Sequence, residues 1–335
     1  MQSNLAIFLT PLSWIFGFCL QVRHYVYDQG WLPQYRPKAF TISIGGIEAG
    51  GSGKTPITAY ILQKFLHENK DVGLLSRGYG RASRGLIGRQ KGEKASAEKH
   101  GDEPTLILNR YADVPAAICA KRSLGAQYLS DLGCAIILCD DAFSHRALHR
   151  DLDIVVLRGE APLADGHLLP RGHLREPLAS LKRAHMIWLH HKSAQIKPTI
   201  PPDLNHLFAG KPLVRSTSRL ILKQADGSLV QSCGQDVVAA AGIAHPQSFQ
   251  HMLKELDLNV LDFLAFTDHC TYHAQDRQRL EASLAKHPGA TLVVTAKDYV
   301  KLAEKWPPTQ IWIADLEVCI FEGAEELDSL LKTDT

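Results

Sequence analysis

Neither sign of charge prevails in this sequence: 37 lysines and arginines stand against 35 acids, a balance of +2. Bulk charge therefore gives no basis for nonspecific nucleic-acid binding, and any basic recognition has to be local. Cysteine is sparse. The seven thiols, at positions 19, 119, 134, 139, 233, 270 and 319, are odd in number and form no C-x-x-C pair. That spacing argues against a zinc cage or a disulfide scaffold and reads as buried thiols in a reducing compartment. No internal repeat or low-complexity tract occurs. A long membrane span is missing too: the uncharged run from Leu5 to Val22 has eighteen residues, broken by Thr10, Pro11, Ser13 and Gly17, at the lower limit for a spanning helix. No basic residue precedes it, which argues against a cleaved secretory signal. The readings left are a helix lying in one leaflet, with Trp14, Tyr25, Tyr27 and Trp31 at headgroup level, or a helix packed on the protein body; the first is preferred.

What is present is enough apolar residue, 45% of 335, for about two globular domains. Residues 40–44 alternate apolar and small polar side chains and stop at Gly45-Gly46, the pattern of a strand ending in a glycine loop. Residues 56–66 carry helical apolar spacing, with Pro56 in a first turn where its missing N–H costs nothing. Short apolar runs at 72–75, 114–118, 135–139, 154–157 and 186–189, separated by stretches such as 121–132, predict a parallel sheet covered on both faces. The proline-rich stretch 196–202 reads as a linker. Beyond it, 213–222 and 228–230 flank Ala225-Asp226-Gly227, a turn signal for a two-stranded ribbon. A second α/β series follows, with strands at 237–243, 291–295 and 311–314 and helices at 246–256 and 274–286. The expected fold is α/β: an apolar membrane-associated segment (1–35), a P-loop NTPase-like parallel-sheet domain (36–210), a two-stranded β linker (211–232) and a smaller α/β domain (233–335).

The sharpest chemical signal is Gly50-Gly51-Ser52-Gly53-Lys54-Thr55. Glycines let backbone N–H groups turn inward around phosphate oxygens, the helix N-terminus adds positive potential, Lys54 reaches the outer phosphates and the Thr55 hydroxyl suits Mg²⁺. The strict pattern G-x-x-x-x-G-K-[ST] fails, because Glu48 stands where its first glycine belongs. A chance glycine turn, however, would not explain the strand before and the helix after. The apolar strand 135–139 runs into Asp140-Asp141, as expected of a strand that delivers a carboxylate to a metal beside a phosphate loop. Between these motifs lies Ser76-Arg77-Gly78-Tyr79-Gly80-Arg81, followed by Arg84 and Arg89, an arginine cluster suited to phosphate at the end of a parallel sheet. Asp102, in Gly101-Asp102-Glu103-Pro104, is a candidate base for a substrate hydroxyl. Together these residues predict Mg²⁺-nucleotide chemistry, either phosphoryl transfer or nucleotide-driven switching.

Taken in order, G-G-x-G-K-T-P (50–56), S-R-G-Y-G-R (76–81), G-D-E-P (101–104), D-D-x-F-x-H-R-x-L-x-R-D (140–151), L-L-P-x-G-x-L-R-E-P (168–177), D-H (268–269) and T-x-K-D (295–298) resemble the tetraacyldisaccharide 4′-kinase family, the lipid A 4′-kinases of Gram-negative bacteria. The resemblance runs from the apolar N-terminal segment to about residue 302. It implies ATP and Mg²⁺ as cofactors and transfer of the γ-phosphate to the 4′-hydroxyl of a tetraacyldisaccharide 1-phosphate, giving lipid IVA. It also implies a peripheral or monotopic seat on the cytoplasmic face of the inner membrane, with the bilayer and the acylated disaccharide phosphate as partners and neither nucleic acid nor an obligate protein partner. By motif, Gly50, Gly51, Ser52, Gly53, Lys54 and Thr55 hold the nucleotide, Thr55, Asp140 and Asp141 take the metal side, and Asp102 is the base with His269 in support. Arg77, Tyr79, Arg81 and Arg175 would meet the acceptor. Several positions depart from the family, among them Gly46, Glu48, Ala142, Ser144 and the stretches 164–166 and 295–298. Glu48 would repel a triphosphate unless turned outward or toward Mg²⁺. Ala142 and Ser144 replace a glycine and a glutamine, which matters if position 142 needs a positive φ. The alternative class is a membrane-associated P-loop switch or metallochaperone. Dimerising switches of this loop type usually have a lysine before the first glycine, and this chain has Ala49.

Overall fold

A computed structural model of the chain describes residues 8–79, 81–163, 165–191, 205–231, 234–268, 270–303, 306 and 311–332. The linker expected at 196–202 lies outside them. Along the chain come α1 (Thr10–Asp28), β1 (Phe40–Gly45), α2 (Lys54–His67), β2 (Val72–Ser76), β3 (Ile87–Arg89), α3 (Ala97–His100), α4 (Asp102–Arg110), β4 (Ala116–Ile118), α5 (Arg122–Asp131), β5 (Ile136–Asp140), β6 (Leu152–Arg158), a 3₁₀ segment (Leu178–Arg183) and β7 (Met186–His191). The rest comprises α6 (Asn205–Phe208), β8 (Leu213–Lys223), β9 (Gln235–Ala241), α7 (Pro246–Lys254), β10 (Leu258–Ala265), α8 (Ala274–Lys286), β11 (Thr291–Thr295), α9 (Ala296–Leu302), β12 (Ile311–Glu322) and α10 (Ala324–Leu331).

All twelve strands join one sheet, in the order β10-β9-β11-β12-β8-β7-β6-β1-β5-β2-β4-β3. From β7 to β4 every neighbour is parallel. That arrangement needs helices on both faces and strands apolar on both sides. Strand β6 shows the reason: Ile154 and Val156 point to the face covered by Ile57, Ile61 and Phe65 of α2, while Val155 and Leu157 point to the face holding Phe143, Leu174 and Leu181. The period of two along one strand thus fills two cores.

Strand β8 joins the two halves. Its first residues pair parallel with β7, and residues 215–223 pair antiparallel with β12. The Asp-Gly turn forms, with the Gly227 N–H donating to the Gln224 carbonyl at 3.0 Å. The returning limb is short: it bridges Leu229 to Lys223, and the Val230 N–H donates to the Leu222 carbonyl at 2.9 Å. The long partner of β8 is instead β12, which continues well past the apolar run read at 311–314 because its outer half alternates in burial against β8. After β12 the chain crosses back: α10 sets Leu327 and Leu331 into the core beneath α2, where Lys64 Nζ lies 2.9 Å from Asp328.

One half-buried carboxylate ties the halves at this seam. Asp315 of β12 accepts from Lys223 Nζ at 2.7 Å and from Arg110 of α4 at 3.2 Å. Asp315→Ala leaves both cations facing each other and is expected to cost about 1–3 kcal/mol. Thermal unfolding should show a drop of several degrees, and Lys223→Ala in the same chain should recover part of it; additive losses would contradict the shared role.

Candidate active site

The site begins with register. Strands β1 and β5 are parallel neighbours with Ile44 opposite Asp140, and the Asp141 N–H donates to the Ile44 carbonyl at 2.8 Å. The loop leaving β1 is therefore held beside the two carboxylates that end β5. Gly53 caps α2 with φ 80°, in the left-handed region, and a Cβ there would lie 2.3 Å from the His190 ring. Glycine is required both for the turn and for the close approach. His190 is neutral, pushed down to about 4 by burial, and its two ring nitrogens lie 2.9 and 3.1 Å from the Ser216 and Ser218 hydroxyls of β8. Lys54 folds over the loop, Nζ to Ser52 Oγ at 3.3 Å.

Behind the loop the carboxylates divide. Asp140 is buried and accepts from Thr58 Oγ1 at 3.3 Å. Burial pushes its carboxyl up to about 7; Glu103 and Asp141 push the same way, against Lys54 and Arg122. Burial would raise Asp141 as well, but hydrogen bonds from Arg175 and the charge of Lys54 hold it below the usual carboxylate range. Arg175 forks onto both Asp141 oxygens and donates its Nε–H to the Gly46 carbonyl at 3.0 Å. Arg175, expected at the acceptor, here bonds the Gly46 carbonyl at the loop, and Asp141, expected on the metal, has both oxygens on that arginine. The donors suited to a hard cation are the Thr55 hydroxyl and the buried Asp140 carboxylate. Among the described residues no group of three or more His, Cys, Asp or Glu forms a metal cage. This set fits Mg²⁺, which is commonly held by one or two side chains and by substrate phosphates.

The departures from the expected motifs resolve locally. Glu48 is turned away from the loop's phosphate side: it is 1% exposed, accepts from Arg158 Nε at 2.8 Å and from the Leu163 N–H at 2.9 Å. Residue 142 needs no glycine, since the positive φ (53°) falls on Asp141. At position 144 the backbone does the bonding, its carbonyl accepting from Arg23 at 2.9 Å.

Asp102 and Glu103 open α4. Gly101 before them has φ 88°, and a Cβ there would meet the Tyr79 carbonyl at 2.7 Å; a Cβ on Gly78 would meet Ile118 at 2.4 Å and the His100 carbonyl at 2.7 Å. The two glycine motifs therefore interlock backbone to backbone. From the other half, α9 brings Lys301 to 3.0 Å from Asp102 and Lys297 to 3.6 Å from Glu103. The helix is anchored by buried Asp298, which bonds Thr295 and the Gly242 N–H. His269 and Gly80 lie outside the described residues. The arginine cluster separates: Arg77 and Tyr79 are exposed, and Arg84 also faces out. Arg81 instead donates to the Ile118 and Gly85 carbonyls, and Arg89 is buried on Val114 and Ala112. Sequence reading missed Thr58, Arg122 and Lys301, and it gave Lys297, within T-x-K-D, no role of its own. Arg122 is buried within electrostatic reach of Asp140 and Asp141 and carries no local motif.

Helix α1 packs its small residues inward. Ser13, Gly17 and Leu20 are buried, with Ser13 Oγ donating to the Leu168 carbonyl at 2.8 Å. Farther along, His24 meets Glu176 at 2.8 Å and Arg146 meets Asp28 at 2.7 Å. Trp14 (72% exposed), Ile15, Phe18, Val22 and Tyr25 face out. Tyr27, expected at headgroup level, packs under Arg146 instead, 5.2 Å from ring centre to guanidinium. No helix among the described residues is long and apolar enough to cross a membrane.

The chain is similar to known proteins over nearly its whole length. A family described as Tetraacyldisaccharide-1-P 4′-kinase matches residues 5–335. The "Tetraacyldisaccharide 4′-kinase" of Anaeromyxobacter sp. (strain Fw109-5) is 36% identical over 318 residues, 89% of this chain and 84% of its own. The protein of that name from Syntrophotalea carbinolica is 31% identical over 325 residues, 95% of this chain and 89% of its own. A crystal structure described as the "apo" form of LpxK from Aquifex aeolicus in complex with ATP superposes with a TM-score of 0.81 at 29% identity, covering 98% of both chains.

Two substitutions test the geometry. Glu48→Ala strands the Leu163 N–H and should lower stability by about 1–3 kcal/mol without tightening ATP binding; tighter ATP at unchanged stability would mean the carboxylate faces the phosphates. Asp140 has a folded-state pKa above its ordinary value, so its contribution favours the fold in acid and is lost as pH rises toward 7. Asp140→Asn should therefore raise the unfolding midpoint of nucleotide-free protein above neutral pH and remove the further rise that Mg²⁺-ATP gives the parent; a lowered midpoint would contradict it.

Proposed function

This chain belongs to the tetraacyldisaccharide 4′-kinase family, and from that premise we propose how its residues carry out the reaction. It is an ATP-dependent kinase that transfers the γ-phosphate to the 4′-hydroxyl of a tetraacyldisaccharide 1-phosphate. The observation that carries the assignment of roles is the in-register pairing of β1 with β5, with Asp140 opposite Ile44. Loop 50–55 holds the phosphates through backbone N–H groups, and Lys54 and Arg122 supply positive charge as charge moves onto the departing diphosphate. Thr55 and Asp140 are the residues that would hold Mg²⁺, which when bound neutralises phosphate charge. Asp141 and Arg175 keep the loop in place.

Asp102 takes the proton of the 4′-hydroxyl. The sugar oxygen bonds to the γ-phosphorus, the bond from that phosphorus to the β,γ-bridging oxygen breaks, and ADP leaves. Lys301, 3.0 Å from Asp102, places a positive charge beside the base and holds its carboxylate in position. His269 is the group we propose in support of Asp102, and Arg77 and Tyr79 are the exposed side chains available to the acceptor. Residues 36–210 carry the nucleotide, and 233–335 contribute α9 to the base across the ribbon of 211–232. The outward face of α1 sits in one leaflet at the cytoplasmic face of the inner membrane, so that an acylated acceptor presents its sugar without leaving the lipid. Family membership decides for this reading over the nucleotide switch.

Lys54→Ala is expected to abolish turnover and to weaken nucleotide binding at least about tenfold. Asp102→Ala should lower kcat by about 100- to 10,000-fold, the worth of a positioned base, with nucleotide affinity unchanged. Equal loss of affinity in both, measured by calorimetry, would contradict the base assignment. Ile15→Glu with Phe18→Glu, both on the outward face, should leave the unfolding midpoint in place and release the protein from vesicles; undiminished flotation would contradict the leaflet seat.

A further inference from the structure

A groove of about 310 Å³ runs between α1 and the turn that follows residue 165, with Trp14, Gly17 and Phe18 on the helix side and His167, Leu168 and Arg171 on the other. Its construction is specific. Ser13 donates to the Leu168 carbonyl, and a Cβ on Gly17 would lie 2.9 Å from the Leu168 side chain, so the helix is seated on this turn at its small residues. Its large ones, Trp14 and Phe18, stand up as one wall. Arg171 forms the opposite wall. It is half-buried, and it is the one half-buried arginine without a hydrogen-bond, ion-pair or ring partner among the described residues. Other half-buried arginines are satisfied: Arg175 by Asp141, Arg183 by Glu176, Arg81 by carbonyls. The carboxylate of the same turn is occupied, Asp165 accepting from the His173 ring and from the His167 and His173 N–H groups. An unpaired guanidinium facing an aromatic wall complements a phosphate joined to hydrocarbon.

We propose that this groove seats an anionic phospholipid of the bilayer, its phosphodiester on Arg171 and an acyl chain along Trp14 and Phe18. The inference rests on the leaflet-seated reading of α1. The occupant is a bilayer lipid because the groove's rim is the surface that enters the leaflet, so bulk lipid stands at its mouth at the membrane's own concentration. Such a seat fixes the orientation of α1 on the surface as well as its attachment.

The test uses the full-length protein with phosphatidylcholine vesicles, with and without phosphatidylglycerol. The parent should prefer the anionic vesicles, and Arg171→Gln should lose about fivefold of that preference, the worth of one arginine at an anionic surface; Arg171→Lys should keep most of it. Dilute phosphatidylglycerol spin-labelled on its acyl chain should quench Trp14, read as the difference from Trp14→Phe, more than equally dilute labelled phosphatidylcholine. Arg171→Gln should equalise the two, and Arg36→Gln should not. The proposal is overturned if Arg171→Gln keeps the contrast, if Arg36→Gln erases it as fully, or if a trace of tetraacyldisaccharide 1-phosphate displaces the labelled lipid in preference, which would make the acceptor the occupant. Binding of the parent to neither vesicle would overturn the leaflet reading itself, whereas equal binding to both would overturn only the groove.

Discussion

The site depends on one constraint, the parallel register of β1 and β5. With Ile44 fixed opposite Asp140, the glycine loop and the carboxylate pair emerge side by side, and every other polar contact elaborates that juxtaposition. Arg175 closes it by binding the Gly46 carbonyl and both oxygens of Asp141. A one-residue slip would turn Asp140 to the opposite face of the sheet. The buried, largely apolar strands on either side, β6 and β2, keep such a slip costly.

The segment from Leu163 to Glu176 links parts that look unrelated in sequence. Its backbone bonds the phosphate loop, with the Ala49 N–H donating to His173 and the Arg175 N–H to Ile47. Leu163 satisfies Glu48, Leu168 receives Ser13, and Glu176 receives His24. Helix α1 and the phosphate loop are therefore mounted on the same stretch of chain. A helix and a glycine loop held by one segment cannot shift independently, so a change at one is felt at the other.

Much of this was legible from residues 40–140, because period-two apolarity, a glycine loop and a paired carboxylate each have a local cause. The contacts that were not legible are those where a side chain's partner is distant in sequence. Arg81 and Arg175 read as ligand groups because arginine near a strand end usually serves phosphate; their partners in the structure are carbonyls and a carboxylate that no spacing reveals. Glu48 read as a liability, and its remedy, Arg158 with the Leu163 N–H, lies over a hundred residues away. Thr10, Pro11, Ser13 and Gly17 lowered the apolarity of the first helix; Ser13 and Gly17 prove to be its docking face. The extent of β12 was hidden because its outer half is only half-buried, and α10 because an eight-residue helix gives little periodicity to read.

The central claim is that the loop at 50–55, the carboxylate at Asp140 and the base at Asp102 act on one acceptor hydroxyl. Its most direct measurement is transfer of label from γ-labelled ATP, with Mg²⁺, to tetraacyldisaccharide 1-phosphate in detergent micelles, with the position of the new phosphate determined on the product. The account predicts a 1,4′-bisphosphorylated lipid formed in step with ADP; ADP released without a bisphosphorylated product, beside an active enzyme as control, would contradict it.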